Sequence, residues 1–88
     1  MPLIKFFGNL RQLAQSSHLH VEGNSVRCLL DELCRQNRAM GEAIFEEGQL
    51  RPHVRVVVNG HDVQLEQGLD TPVEENDQVA IFPPLGGG

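Results

Sequence analysis

Val79-Ala80-Ile81-Phe82-Pro83-Pro84-Leu85-Gly86-Gly87-Gly88 closes the 88-residue sequence, and the fold turns on how this stretch is read. Four consecutive apolar residues make a core strand. Pro83 and Pro84 cannot donate to a sheet ladder, and they hold the last residues of the chain in an extended, polyproline-like path. Three glycines then carry the backbone without a single Cβ, so the stem can enter a channel too narrow for other residues. Fully extended, residues 83–88 reach roughly 20 Å. Such an arm suits delivery of the Gly88 α-carboxylate into the active site of another protein. The expected organisation is one domain over residues 1–82 and a flexible C-terminal tail over residues 83–88.

The rest of the chain supplies the partners for that strand. Leu3 to Phe7 is apolar and aromatic and stops at Gly8-Asn9, the pattern of a first strand. Leu10 to Ala14 suits a helical turn. His18-Leu19-His20-Val21 alternates polar and apolar, which predicts an antiparallel return. Ser25 is a candidate N-cap, and Val26, Leu29, Leu30 and Leu33 fall at helix spacing on one stripe ending near Asn37. A second, shorter helical segment puts Met40, Ala43 and Ile44 together, and Glu46-Glu47-Gly48-Gln49 reads as a loop. Val54, Val56 and Val58 share one face of a strand, and Asn59-Gly60 supplies the two left-handed positions of a tight hairpin turn. His61 to Leu65 is expected to return as a polar edge strand, and Gly68 to Gln78 is turn-rich.

Strands joined by one main helix favour an α+β domain with the helix across one face of the sheet. If the first and last strands are central and parallel, the topology is the ubiquitin-like β-grasp, with a mixed sheet of four to five strands. The pattern alone leaves other α+β arrangements open.

Composition narrows the function. Seven basic against twelve acidic residues give a formal charge of −5, which argues against nucleic acid, since phosphate neutralisation needs clustered Lys and Arg. The apolar stretch near Met1 is too short for a signal peptide or a membrane span, and no lipidation signature is present, so the cytoplasm is the expected location. Cys28 and Cys34 lie six apart in a helical pattern and cannot bridge each other; both are expected to behave as small hydrophobes. An enzyme is not expected, because the phosphate-loop, dinucleotide, zincin and nucleophile-elbow signatures are missing. No metal site is expected either. His18 and His20 share a strand face without a third ligand, His53 and His61 have no placed partner, and Glu74 to Asp77 lacks the calcium-loop pattern.

Strand alternation marks a second surface. With Val79 and Ile81 turned inward, Ala80 and Phe82 face away from the helix. One of the sets Ile4/Phe6 or Leu3/Lys5/Phe7 must join them, and Val57 belongs to the same side. Exposed Phe and Val beside the tail form a candidate docking surface, carried by Phe7, Val57 and Phe82.

The blocks Ile4-Lys5-Phe6-Phe7-Gly8-Asn9-Leu10-Arg11, Val58-Asn59-Gly60-His61-Asp62-Val63 and Glu75 to Gly88 together resemble the MoaD/ThiS family of ubiquitin-fold sulfur carriers. The resemblance extends over essentially the whole chain and is most specific at the end, with Gly87 and Gly88 in the diglycine positions. It implies a carrier that binds no cofactor of its own. An activating enzyme of the MoeB/ThiF type would adenylate Gly88 with ATP, and sulfur would displace AMP to leave a thiocarboxylate for a sulfur-accepting synthase. Leu85, Gly86 and Gly87, with Pro83 and Pro84, would thread the partner. The second helical segment leans toward molybdopterin-synthase small subunits or carriers of cysteine biosynthesis, and Asp62 toward the latter. The alternatives are a ubiquitin-like modifier joined through Gly88 to lysines and the small subunit of molybdopterin synthase. In the turn before the last strand Asn76 stands where the family commonly has glycine, and asparagine tolerates a left-handed conformation.

Overall fold

β1 (Leu3–Phe6) and β7 (Gln78–Phe82) run parallel side by side, with Ile4 opposite Val79 and Phe6 opposite Ile81. This pairing joins the two ends of the chain at the centre of the sheet in the computed structural model, which describes residues 1–84. The expected roles of Leu85, Gly86, Gly87 and Gly88 lie outside the described residues. β5 (Arg55–Val58) pairs antiparallel with β7 on its other side, Val56 opposite Ile81. β2 (His18–His20) flanks β1, and β6 (His61–Asp62) flanks β5. The order β2-β1-β7-β5-β6 is the β-grasp arrangement, a five-stranded mixed sheet.

One face of this sheet is covered by helices. α2 (Val26–Gln36) begins where the Ser25 hydroxyl accepts the Cys28 N–H at 3.2 Å, so the N-cap expected from sequence is formed. Asn37 ends α2 and starts α3 (Arg38–Ile44), its Oδ1 accepting the Met40 N–H at 3.0 Å. Its Nδ2 donates to the Leu13 carbonyl at 2.9 Å, which ties in the short α1 (Leu10–Ala14). Ile4, Phe6, Val56, Val58, Val79 and Ile81 project from the strands into Val26, Leu29, Leu30, Leu33, Met40 and Ile44, and all are buried. Each such side chain contributes about 1.5–3 kcal/mol by leaving water, so this inner layer holds the domain together.

Two local expectations need correction. His61 to Leu65 is not a continuous edge strand. β6 ends at Asp62, whose carboxylate accepts the Gln64 N–H at 2.8 Å and starts a 3₁₀ turn over Val63–Leu65. That turn swings Val63 into the core while leaving Leu65 84% exposed. Glu46 to Gln49 is not an open loop but the tip of a second hairpin, β3 (Phe45–Glu46) against β4 (Gln49–Leu50). Glu47 and Gly48 take φ of 53° and 80°, the same left-handed pair that Asn59 and Gly60 adopt at 49° and 87°. The charged Glu47 hides this turn, whereas Asn-Gly announces one. Asn76 does not use the left-handed region its expected role allowed; it is absent from the residues of positive φ. Among the described residues no helix is long and apolar enough to cross a membrane.

Candidate functional site

The strands that turn Ile4, Phe6, Val79 and Ile81 inward must turn the alternate residues outward, and among the described residues no helix covers that side, which leaves Lys5, Phe7, Val57, Ala80 and Phe82 partly exposed. Lys5, Ala80, Val57 and Asp62 lie in one cross-strand row, through the pairs Lys5–Ala80, Val57–Ala80 and Val57–Asp62. One step along, Phe82 sits opposite Arg55. Phe7 stacks on Phe82 with ring centroids 4.5 Å apart and planes 13° from parallel. Phe7, Val57 and Phe82, singled out from the sequence as a docking surface, are therefore on one face and all partly exposed.

Polar groups hold this face rigid from both ends. The Arg11 guanidinium lies 6.0 Å from the Phe7 ring centre, within range of a cation–π contact, while its Nε donates to the Phe6 carbonyl at 3.3 Å. Across the sheet, Arg55 donates to Asp62 through Nε at 3.0 Å and a terminal nitrogen at 2.6 Å. The Asp62 side chain is only 12% exposed. The Gln64 N–H, joined by Arg55, holds its carboxyl below the ordinary carboxylate value against the opposing effect of burial. A group this enclosed and doubly bonded keeps β5, β6 and the turn after them in fixed relation.

The exit of the chain from the sheet is built as carefully. Gly8 takes φ of +59°, and a Cβ there would stand 2.7 Å from Cγ of Pro83. Only glycine meets both conditions, so the β1–α1 turn closes directly on the first proline after β7. Pro83 is consequently half-buried on the domain, and Pro84 is exposed. Phe7, Phe82 and Pro83 line a groove of about 860 Å³ together with Leu50, His53 and Leu65. His53 has φ of +73°, a left-handed conformation in which histidine is enriched among non-glycine residues.

Sequence reasoning missed Gly8, Leu50, His53 and Leu65. Gly8 reads as a strand stop, and a tertiary contact with Pro83 leaves no local signal. Leu50 and Leu65 come from the two elements whose structures differ from expectation, which explains their omission. Arg11 could have been found, since a helical turn starting at Leu10 puts it near the aromatic end of β1.

His18 and His20 are exposed on β2. Asp77 accepts the Glu74 N–H and the Asn59 side-chain amide, both at 2.8 Å, which lowers its carboxyl and makes the acidic segment a closed turn. Among the described residues no group of three His, Cys, Asp or Glu is placed to hold a metal ion. Cys34 is half-buried, and burial, with Asp31, pushes its thiol up to about 11. Cys28, expected to pack as a small hydrophobe, is exposed instead, because it falls outside the buried stripe of α2.

Comparison with known proteins gives a consistent picture. The family model described as the ThiS family matches residues 4–88. Small archaeal modifier protein 3 of Haloferax volcanii is 30% identical over 88 residues, covering 97% of this chain and 96% of that protein. A candidate sulfur carrier protein of Archaeoglobus fulgidus is 31% identical over 65 residues, 74% of this chain and 72% of that one. The solution structure of small archaeal modifier protein 1 from Methanosarcina acetivorans superposes with a TM-score of 0.92 at 30% identity, covering 99% of this chain and 95% of the other.

Proposed function

The chain belongs to the ThiS family, a family of small sulfur carriers and ubiquitin-like modifiers, and from that premise we propose that it is a sulfur carrier charged at Gly88. In this reading the Gly88 carboxylate attacks the α-phosphorus of ATP on a MoeB/ThiF-type activating enzyme, releasing pyrophosphate and forming an acyl-adenylate. A persulfide on the sulfur donor then adds to the acyl carbon, the bond to the AMP oxygen breaks, and a second thiol attacks the donor sulfur of the resulting acyl disulfide, forming a disulfide with the donor and leaving the thiocarboxylate. A carboxylate is a poor electrophile and AMP a good leaving group, so activation is the step that makes the exchange possible. The protein contributes no catalytic side chain, and the activating partner stabilises the developing charge. A synthase in the cytoplasm then accepts the sulfur.

What supports this reading above all is the continuity between the docking face and the point of exit. Phe7, Phe82 and Pro83 form one surface, with Gly8 pinning Pro83 where the chain leaves β7. A partner that covers Phe7, Val57 and Phe82 thereby meets the chain where it leaves β7, with residues 1–82 as the domain and 83–88 as the delivered arm. Leu85, Gly86 and Gly87 serve as the threading segment, and Gly88 as its reacting end.

The test is to incubate the protein with the activating enzyme, ATP and a sulfur donor and to follow intact mass. Exchange of one oxygen for one sulfur is expected in the full-length chain and is abolished by deleting Gly88, with the thermal unfolding curve unchanged. Equal charging of the truncated chain rules the reading out. The 30% identity to a small archaeal modifier protein favours one second reading, attachment through Gly88 to lysines of other proteins. Branched peptides carrying a glycine remnant on lysine, recovered from the native host, separate the two.

A further inference from the structure

Lys5 is the one lysine in the sequence, and it stands in the middle of the outer sheet face. It lies on β1 with β2 on one side and β7 on the other, between His18 and Ala80 in register. The neighbouring Phe6 N–H donates to the Ser17 carbonyl at 3.0 Å. Lys5 and His18 therefore form a non-hydrogen-bonded pair, the arrangement in which facing side chains approach most closely. Such pairs bring Cβ atoms to about 4.5–5.5 Å. Both residues line a groove of about 440 Å³ together with Leu3, Phe7, Arg11 and Ser17. His18 Nδ1 is hydrogen-bonded to the Ser17 hydroxyl at 3.0 Å, which orients the ring. Among the described residues Lys5 forms no salt bridge, so no carboxylate holds its amine.

We propose that Lys5 is an acyl-acceptor site served by His18, and that acylation there closes the outer face to docking. The donor class is an activated carboxylate, either a small acyl phosphate or the adenylated Gly88 of a second copy. The neutral Lys5 amine attacks the acyl carbon and a C–N bond forms. The C–O bond to phosphorus breaks, and the phosphate or AMP leaves with the electron pair. The proton lost from nitrogen passes to the His18 imidazole and then to solvent. No other side chain can replace Lys5 as an amide-forming acceptor, since the arginines stay protonated. The product places an uncharged group beside Ala80 and Val57, where a partner would need to approach. Acylation of Lys5 and occupation of the face by a partner therefore exclude each other. The docking half of this proposal rests on the sulfur-carrier reading; the reactivity of Lys5 does not.

The probe is acetyl phosphate, with peptide mapping of the full-length chain. Acetylation is expected at Lys5 at least about tenfold faster than on a free lysine amide, and slowed about tenfold by His18→Gln, the low end of what a positioned base contributes. The acetylated fraction is then offered to the activating enzyme with ATP and a sulfur donor. Its charging is expected to fall about tenfold below that of the unmodified fraction, while Lys5→Arg, which keeps the charge and resists acetylation, charges at the same rate before and after acetyl phosphate treatment. A Lys5 no more reactive than free lysine overturns the proposal, as does normal charging of the acetylated chain. With the sulfur donor left out, tryptic peptides linking Gly88 to Lys5 identify a second copy as donor, and their absence leaves the small acyl phosphate as donor. Should the unmodified chain fail to charge, the sulfur-carrier reading falls and the two acetylation rates decide the proposal.

Discussion

The two faces of the sheet are made from the same strands and differ by one residue of register. Ile4, Phe6, Val79 and Ile81 are closed off by α2 and α3, while Lys5, Phe7, Ala80 and Phe82, their neighbours in the chain, remain partly open. The inner face is apolar throughout, and the outer face sets Phe7, Val57, Ala80 and Phe82 among Lys5, Arg55 and Asp62, so both offer apolar surface. What separates them is covering. The inner face stabilises the domain, and the outer face keeps aromatic and aliphatic surface in contact with water, surface whose removal from water would be favourable. Phe6 and Phe7, adjacent in sequence, stand one on each side of that division.

Truncating this adjacent pair gives the sharpest contrast. Phe6→Ala is expected to cost about 3–5 kcal/mol of folding stability, through lost transfer energy and the cavity left in the core. Urea unfolding measures it. Phe7→Ala loses the stack on Phe82, worth about 0.5–1.5 kcal/mol, and the exposed Arg11 contact, worth about 0.5–1 kcal/mol. Its effect should instead appear in binding to the activating enzyme, where loss of an aromatic anchor costs about 2 kcal/mol or more. If Phe7→Ala destabilises as much as Phe6→Ala and leaves binding intact, the division between the faces is wrong.

A smaller effect is expected at the junction between the faces and the tail. Gly8→Ala combines a left-handed backbone with a contact of 2.7 Å to Pro83, and backbone strain of this kind costs about 1–3 kcal/mol. Relief by displacement of Pro83 should lower the charging rate more than stability alone explains. Pro83→Ala removes the ring atoms in that contact, and in the double variant it should recover part of the stability loss.

The smallest effect concerns acid. Asp62 has its folded-state pKa lowered by the Gln64 N–H and Arg55, so its contribution is present above the unfolded carboxylate value and is lost as pH falls through the lowered folded one. Asp77, lowered by the Glu74 N–H and Asn59, behaves in the same sense. Asp62→Asn should therefore flatten the fall in stability below the ordinary carboxylate range, seen as a shallower dependence of melting temperature on pH. A slope identical to the parent's would show that Asp62 does not fix the edge of the outer face.

Much of this division is legible in the sequence. Period-two alternation in Val54 to Val58 and Val79 to Phe82 identifies the inward residues correctly, because a strand packed on one side leaves little freedom in which face is buried. The stripe of Val26, Leu29, Leu30 and Leu33 is equally plain. Phe7, Val57 and Phe82 emerge as the outward remainder, and the structure brings them together. What the sequence conceals depends on contacts between distant segments. Gly8 matters because of Pro83, at the opposite end of the chain. Leu65 is exposed because Asp62 caps a 3₁₀ turn in place of continuing a strand. The β3–β4 hairpin is hidden by Glu47, which takes a left-handed conformation that residues with a Cβ adopt uncommonly. Local patterning reports burial well and tertiary closure poorly.

On the sulfur-carrier reading the backbone carboxyl of Gly88, and no side chain, carries the sulfur. Tandem mass spectrometry of the C-terminal peptide tests it most directly, after exposure of the intact protein to the activating enzyme, ATP and a sulfur donor. The predicted result is one oxygen replaced by sulfur at Gly88, in an ATP-dependent manner. Sulfur found instead on the exposed thiol of Cys28, with Gly88 still an ordinary carboxylate, would contradict it.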